Sequence, residues 1–169
     1  MLVEATVADL ALIRTWRNHP RVRDTHFYTR EITAEQHLGW WASVERGDRK
    51  VLVFHYGDRP AGVVHFGHFD PEEGSAHWGF FLDIEGLEER RELLGAWLQL
   101  EQEAVDYAFD VLGLTWLRGE TLTDNTVVRQ LHKRFGFTES PVFEREVDGV
   151  THQAVMTEMH ADARSARRR

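Results

Sequence analysis

The sequence predicts one mixed α+β domain, and three observations carry that prediction. Hydrophobic residues make up 42% of the 169-residue chain and charged residues 28%, the balance of a globular domain rather than of a disordered or fibrous chain. The apolar period changes along the chain: helical spacing comes first, β-branched and aromatic runs follow over 51–82, and the two kinds alternate afterwards. No repeat, linker or low-complexity stretch interrupts the pattern, so residues 1–163 read as one domain and the Arg-rich stretch 164–169 as a disordered tail.

Leu2–Ala5 has the character of a short strand. Thr6-x-x-Asp9 then has the form of a capping box, and Leu10, Ile13 and Trp16 continue at helical spacing until Pro20 ends the helix. Thr33-x-x-Gln36 opens a second helix, which carries Leu38, Trp41 and Val44 and stops near Gly47. Val51–Tyr56 and Gly62–Phe69 are strands joined by the hairpin Gly57-Asp58-Arg59-Pro60, and Pro71–Gly74 turns the chain into a third strand, Ala76–Leu82. Three sequential strands predict an antiparallel meander. Leu93, Leu94, Trp97, Leu98, Ala104, Val105, Ala108 and Phe109 place one long helix over 88–112, closed by Gly113. Thr115–Leu122 is a strand and Asn125–Arg134 a helix closed by Gly136, and two last strands, 137–147 and 150–159, meet at Asp148-Gly149. A strand-helix-strand unit in the second half is expected to pair two strands in parallel.

Charge and composition exclude several functions. The formal net charge is −8, and four of the 20 basic residues (Arg164, Arg167, Arg168, Arg169) sit in the last six positions, so the body is more acidic than the total. Such a body repels phosphate backbones and anionic lipid, which argues against nucleic-acid and membrane partners. With no cysteine there is no disulfide framework, thiolate zinc site or cysteine nucleophile. No apolar run approaches the ~18 residues of a membrane span, and Met1–Ala5 lacks the layout of a signal peptide, so the expected location is cytoplasmic. His65-x-x-His68 invites a metal reading, but an offset of three on a strand sends the rings to opposite faces, and no metal site is predicted.

The segment Leu117-Arg118-Gly119-Glu120-Thr121-Leu122-x-x-Asn125, followed by Leu131-His132-x-x-Phe135-Gly136-Phe137, resembles the GCN5-related N-acetyltransferase (GNAT) superfamily, as does the element order over nearly the whole chain. The resemblance implies a central, mostly antiparallel sheet with splayed fourth and fifth strands, flanked by about four helices. It also implies an acyltransferase with acetyl-CoA as donor and a small-molecule primary amine as acceptor. Trp16-Arg17-Asn18-x-x-x-Val22-Arg23 and Ile32-Thr33-x-Glu35-x-His37-x-x-Trp40-Trp41 are similar to the subgroup that acetylates nucleotide-linked amino sugars, and less closely to the enzymes that acetylate ribosomal-protein N-termini. The family opens its long helix with a basic residue and a glycine-rich turn that holds the coenzyme pyrophosphate on backbone N–H groups. Here that run is Arg90-Arg91-Glu92-Leu93-Leu94-Gly95-Ala96, with Leu93 where the first glycine belongs and Glu92 adding a carboxylate. A retained binding module without turnover is therefore a competing reading, as is acetylation of a peptide N-terminus or a natural-product amine.

Acetyl transfer to an amine needs a polarised carbonyl, a base for the amine proton and an acid for the departing thiolate. The resemblance implies that backbone N–H groups around Phe80, Phe81 and Leu82 receive the thioester carbonyl, that Asn125 holds the pantetheine arm, and that His132 stands where many relatives place the tyrosine that protonates the sulfur. Glu120 and His77 are the candidate bases: imidazole titrates near working pH, and a strand carboxylate against an apolar wall is raised toward it. Arg17, Asn18, Arg23 and His37 are expected on the acceptor side, where guanidinium groups grip a diphosphate bidentately. Each residue also admits a plainer role in solvation, capping or core packing. An edge strand in the final hairpin leaves room for a homodimer.

Overall fold

The computed structural model describes residues 1–167. Eight strands form one sheet: β1 (Leu2–Glu4), β2 (Arg49–Tyr56), β3 (Arg59–Asp70), β4 (Ser75–Leu82), β5 (Trp116–Leu122), β6 (Thr138–Glu139), β7 (Phe143–Val147) and β8 (Val150–His160). They lie in the order β1-β2-β3-β4-β5-β8-β6, with β7 also on β8. The expected meander is β2-β3-β4, and the expected parallel pair is β4 with β5; all other pairings are antiparallel.

Seven α-helices flank the sheet among the described residues: α1 (Leu10–Asn18), α2 (Pro20–Arg23), α3 (Ala34–Glu45), α4 (Ile84–Glu89), α5 (Leu93–Asp106), α6 (Thr126–Phe135) and α7 (Ala161–Arg167). The sequence predicts about four, and local chemistry accounts for the difference. Pro20 does end α1, but it also starts α2, because a first-turn position has no use for the missing N–H. The long helix expected over 88–112 is interrupted. Glu92 N donates to Leu87 O at 2.8 Å and Arg91 N to Glu88 O at 2.9 Å, a Schellman closure of α4 that puts Arg91 at φ 61°. Apolar periodicity runs straight through that closure because no glycine marks it. The last turns of the helical region widen to a π-helix over Tyr107–Val111. Pro141 divides the strand expected over 137–147 into β6 and β7. The stretch expected to be a disordered tail begins inside α7: Arg164 pairs with Asp106 at 2.6 Å and with Asp110, and lies over the Phe109 ring. Arg168 and Arg169 lie outside the described residues.

Both faces of the sheet are covered, so β2 is buried on both sides. Val51 and Val53 join Ile13, Trp16, Val22, Trp41 and Phe81 under α1–α3, while Leu52 and Phe54 join Phe66, Trp78, Leu100 and Ala104 under α5. The period-two alternation of the strand assigns each side chain to its layer. No helix is long and apolar enough to cross a membrane among the described residues.

One ion-pair cluster ties α6 to the sheet. Arg129 grips Glu139 with two bonds of 2.9 Å and reaches Thr123 O at 2.7 Å, and Lys133 adds a contact of 3.0 Å to Glu139. The bond from Arg129, helped by Lys133, holds the Glu139 carboxyl down at about 2. A depressed carboxylate stabilises the fold above its unfolded value of 4.5 and loses that contribution as pH falls through about 2. Glu139→Gln is therefore expected to lower the melting temperature at neutral pH, with the deficit shrinking as pH drops below 4.5; thermal scans across pH measure it.

Candidate active site

The site follows from a break in the sheet. β4 and β5 pair only at Ser75–Trp116, Ala76–Leu117 and His77–Arg118, and then separate. From Trp78 onward the β4 edge facing β5 has no ladder partner, which exposes backbone donors at a place where a sheet normally consumes them. Trp78 sits where the fork begins. Its buried indole packs against Phe80, His132 and Phe137, and a Cβ on Gly119 would come within 3.2 Å of both its Nε1 and its carbonyl oxygen.

A cleft of 660 Å³ occupies the fork and reaches both faces of the sheet. On the α5 and α6 side it is walled by Phe80, Leu82, Leu93, Trp97, Asn125 and His132. On the α1–α3 side it is lined by Val22, Thr25, His26, Phe27, Arg49, His65, His68, His77, Glu120 and Arg145. Cross-strand partners share a face, so Arg118 and Glu120 on β5 stand with His77 on β4, while Gly119 stands with Trp78.

Burial sets the protonation of the cleft. It pushes His65 down to about 4, with Arg49 and Arg17 adding to the effect, and His26 down to about 3, with Arg17 adding. His132, enclosed by Trp78, Phe80 and Phe137, is lowered by burial to about 4. His77 is lowered by burial and then by His68 and Arg118, with Glu120 opposing. These four imidazoles are neutral near pH 7. The fixed charges that line the α1–α3 side are Arg21, Arg49, Arg145 and Glu120; Arg21 pairs with Glu88 at 2.6 Å and Arg145 with Glu120 at 3.2 Å.

Glu120, His77, His132, Phe81, Leu82, Leu93 and Asn125 line the cleft as expected. Asn125 also caps α6, accepting from Val128 N at 3.5 Å. Arg90, Arg91, Leu94, Gly95 and Ala96 do not line it; they flank Leu93 at the start of α5, with Leu94 exposed and Ala96 fully buried. The four residues expected on the acceptor side are not part of the lining either. His37 is buried and stacked on Trp40 at 5.1 Å. Asn18 clamps the backbone of Ile32 with two bonds of 2.8 Å. Arg17 donates to Tyr28 O at 2.9 Å, and burial lowers it to about 10. Arg23 has its Nε buried without a partner. The helix pattern around Trp16 therefore builds the support of the loop 24–33 rather than the lining.

Lining residues that the sequence reading did not place in the site include Arg21, Arg49, His65, His68, Arg145 and the segment Thr25–Phe27. His65 and His68 do not point to opposite faces, because the β3–β4 register shifts between Gly67 and Asp70 and His68 takes φ 49°, which turns its ring to within 5.5 Å of His77. No cluster of three or more metal-ligating side chains is present among the described residues.

A family model described as an acetyltransferase (GNAT) domain matches residues 1–138. The chain belongs to the GNAT acetyltransferase family: it is an acyltransferase that takes its acetyl group from acetyl-CoA. No curated protein matches it in sequence. Among solved structures it is similar to the spermidine N-acetyltransferase from Vibrio cholerae in complex with CoA and spermine, at TM-score 0.83 and 16% identity over 98% of this chain and 97% of that one. It is also similar to the spermidine/spermine N-acetyltransferase SpeG from the same organism in complex with manganese ions, at TM-score 0.77 and 16% identity over 100% of this chain and 96% of that one. At such identities the likeness concerns the fold.

The replacement of the family's first glycine by Leu93 is accommodated by the local backbone. Arg91, not Leu93, takes the left-handed conformation, and the Leu93 side chain packs on the core beneath the cleft. Leu93→Gly is expected to cost about 2 kcal/mol in stability through lost burial and helix propensity, and to bind acetyl-CoA no more tightly. Chemical denaturation and calorimetry read the two effects separately.

Proposed function

We propose that this protein transfers an acetyl group from acetyl-CoA to the primary amine of an anionic small molecule, a nucleotide-linked amino sugar being the substrate class that fits best. The observation that carries the reading is the charge of the α1–α3 side of the cleft. Arg49 lines it with no carboxylate partner among the described residues, Arg21 is paired with Glu88, and the one carboxylate in the lining, Glu120, is already held by Arg145. A polyamine such as the spermine bound by the structural neighbour carries several ammonium groups, and each would need an anionic partner that this lobe does not offer. A phosphate-bearing acceptor finds guanidinium donors there instead.

The donor belongs on the other wall. The N–H groups of Leu93, Leu94 and Gly95 open a 14-residue helix and have no intrahelical acceptor, which suits them to a pyrophosphate. The Glu92 carboxylate accepts from Arg90 Nε at 2.8 Å and is neutralised there. Acetyl-CoA, when bound, supplies an activated thioester. The freed backbone N–H groups of β4 beyond Trp78 stabilise charge developing on its carbonyl oxygen, an effect on the scale of 3 kcal/mol for about one good donor. His77, neutral near pH 7, takes the amine proton, and Glu120 offsets the charge that then forms on the ring. Holding both reactants in one fork converts a bimolecular encounter into a local one.

Thiol release with acetyl-CoA and a panel of acceptors tests the reading. Amino-sugar nucleotides are expected to exceed spermidine in kcat/KM by at least about tenfold, and Arg49→Ala to raise the KM of the anionic acceptor about tenfold while leaving that of acetyl-CoA unchanged. Spermidine turnover equal to or above that of every anionic acceptor would falsify the assignment.

The pH profile checks the base. Because burial lowers His77 below 6.5, its proton-accepting form persists to the acid side of that value. At saturating acceptor, kcat is expected to decline only with an apparent pKa below 6.5, and His77→Gln to remove that limb and reduce kcat by about 100-fold.

A further inference from the structure

Behind His132 lies a carboxyl group that the reaction as described does not use. Glu101 sits in the middle of α5 with 0% exposure, and its Oε1 is 3.6 Å from His132 Nε2. Neither carboxyl oxygen and neither ring nitrogen has a hydrogen-bond partner among the described residues. Four polar atoms are thus buried without a partner, and two of them, Glu101 Oε1 and His132 Nε2, face each other at a separation slightly beyond hydrogen-bond length. A charged carboxylate in such a place is heavily penalised, and burial raises Glu101 well above the usual carboxylate range. The same burial keeps His132 unprotonated near pH 7. The pair is therefore a neutral acid beside a neutral imidazole, which is the combination that makes a donor and an acceptor out of Glu101 O–H and His132 Nε2.

We propose that Glu101 is a positioning and proton-relay group for His132, fixing the ring as the Nδ1–H tautomer and refilling its proton when the coenzyme sulfur departs. This rests on the acetyl-transfer reading above. With Nε2 accepting from Glu101, Nδ1–H is the one ring donor left over, on a residue that lines the cleft. As the carbon–sulfur bond breaks, its electron pair goes to sulfur, the Nδ1 proton moves to sulfur, and the Glu101 proton moves to Nε2. The ring stays neutral throughout in its other tautomer, and Glu101 is left as a carboxylate. Return of one proton, matching the one released by the acetylated amine, restores the pair. A neutral imidazole alone is a very weak acid; coupling its proton loss to gain of the Glu101 proton avoids an imidazolate, and the new Nε2–H then donates to the carboxylate left behind. Around the ring, β4 presents Trp78 and Phe80, Phe137 closes another side, α5 contributes Glu101, and the Glu139 carboxylate on β6 acts on the ring through its charge.

The tautomer is readable without turnover. Nitrogen-15 spectra of the full chain labelled at its 10 histidines, with His132 assigned by its loss in His132→Gln, are expected to show an Nδ1–H ring in the unliganded protein. Glu101→Gln keeps a donor for Nε2 and so keeps the tautomer, but its amide delivers no proton; kcat is expected to fall about 10- to 100-fold with both KM values unchanged. Glu101→Met, which fills similar volume, is expected to lose both the tautomer and the rate. An Nε2–H ring in the wild type, or Glu101→Gln turning over within twofold of wild type, overturns the proposal. If no acceptor turns over at all, the acetyl-transfer reading fails, and the wild-type tautomer still decides whether Glu101 positions His132.

Discussion

The loss of pairing between β4 and β5 after His77 and Arg118 is the constraint on which the rest depends. A sheet interior normally uses every backbone donor, and opening one without a replacement costs on the order of 1–3 kcal/mol per unsatisfied group. Where the fork begins, Gly119 of β5 runs against Trp78, and its missing side chain leaves room for the indole. Trp78 in turn is braced by Phe80, Phe137 and His132, so the aromatic cluster that closes the core under α6 also sets the aperture of the cleft. The separation divides the walls of the cleft by sheet face: the start of helix α5 on one side, the Arg and His lobe on the other.

Burial then decides which groups carry charge. The cleft contains many titratable side chains, yet their shared environment pushes the imidazoles toward neutrality while the guanidinium groups remain charged. A chain of net charge −8 thereby presents a locally basic lobe to an acceptor. Net charge bears on solubility and long-range steering; it does not report the sign of a pocket assembled from residues distant in sequence.

Much of the fold was legible because it rests on local chemistry. Thr33-x-x-Gln36 announced α3, and both reciprocal bonds of the box are present; Gly136 announced the end of α6, and it takes φ 95° there. Arg91 shows the limit of such reading. It performs the same closing role for α4 with no glycine to signal it, so a broken helix looked continuous. In the cleft, Glu120, His77 and His132 were found because they lie on strand and helix segments whose motifs resemble a family. Arg49, His65, His68 and Arg145 were not, since what brings them together is the curvature of β3 at its bulge and the return of the β7–β8 hairpin. The Trp16-Arg17-Asn18 motif was legible as a pattern and misassigned in place: Arg17 and Asn18 spend their polar groups on Tyr28 and Ile32, holding the segment whose Thr25–Phe27 portion lines the cleft.

That last arrangement has a consequence for specificity. The loop 24–33 offers few side chains of its own to the core, and its position is set by hydrogen bonds from Arg17 and Asn18, both of which lie outside the lining. His26 rests its ring edge on Phe81 of β4, and Phe27 meets His152 of β8, so one short segment touches one prong of the fork and the strand paired with the other. Residues that never meet an acceptor can therefore set the width available to it. On the proposed reading the sheet and α5 present acetyl-CoA, whereas the opposite side of the cleft is built from a buttressed loop, a bulge and a hairpin. Those elements tolerate sequence change without loss of the core. The charge of that wall can therefore change while the sheet and α5 stay as they are; here it is Arg21, Arg49 and Arg145 against the single lining carboxylate of Glu120.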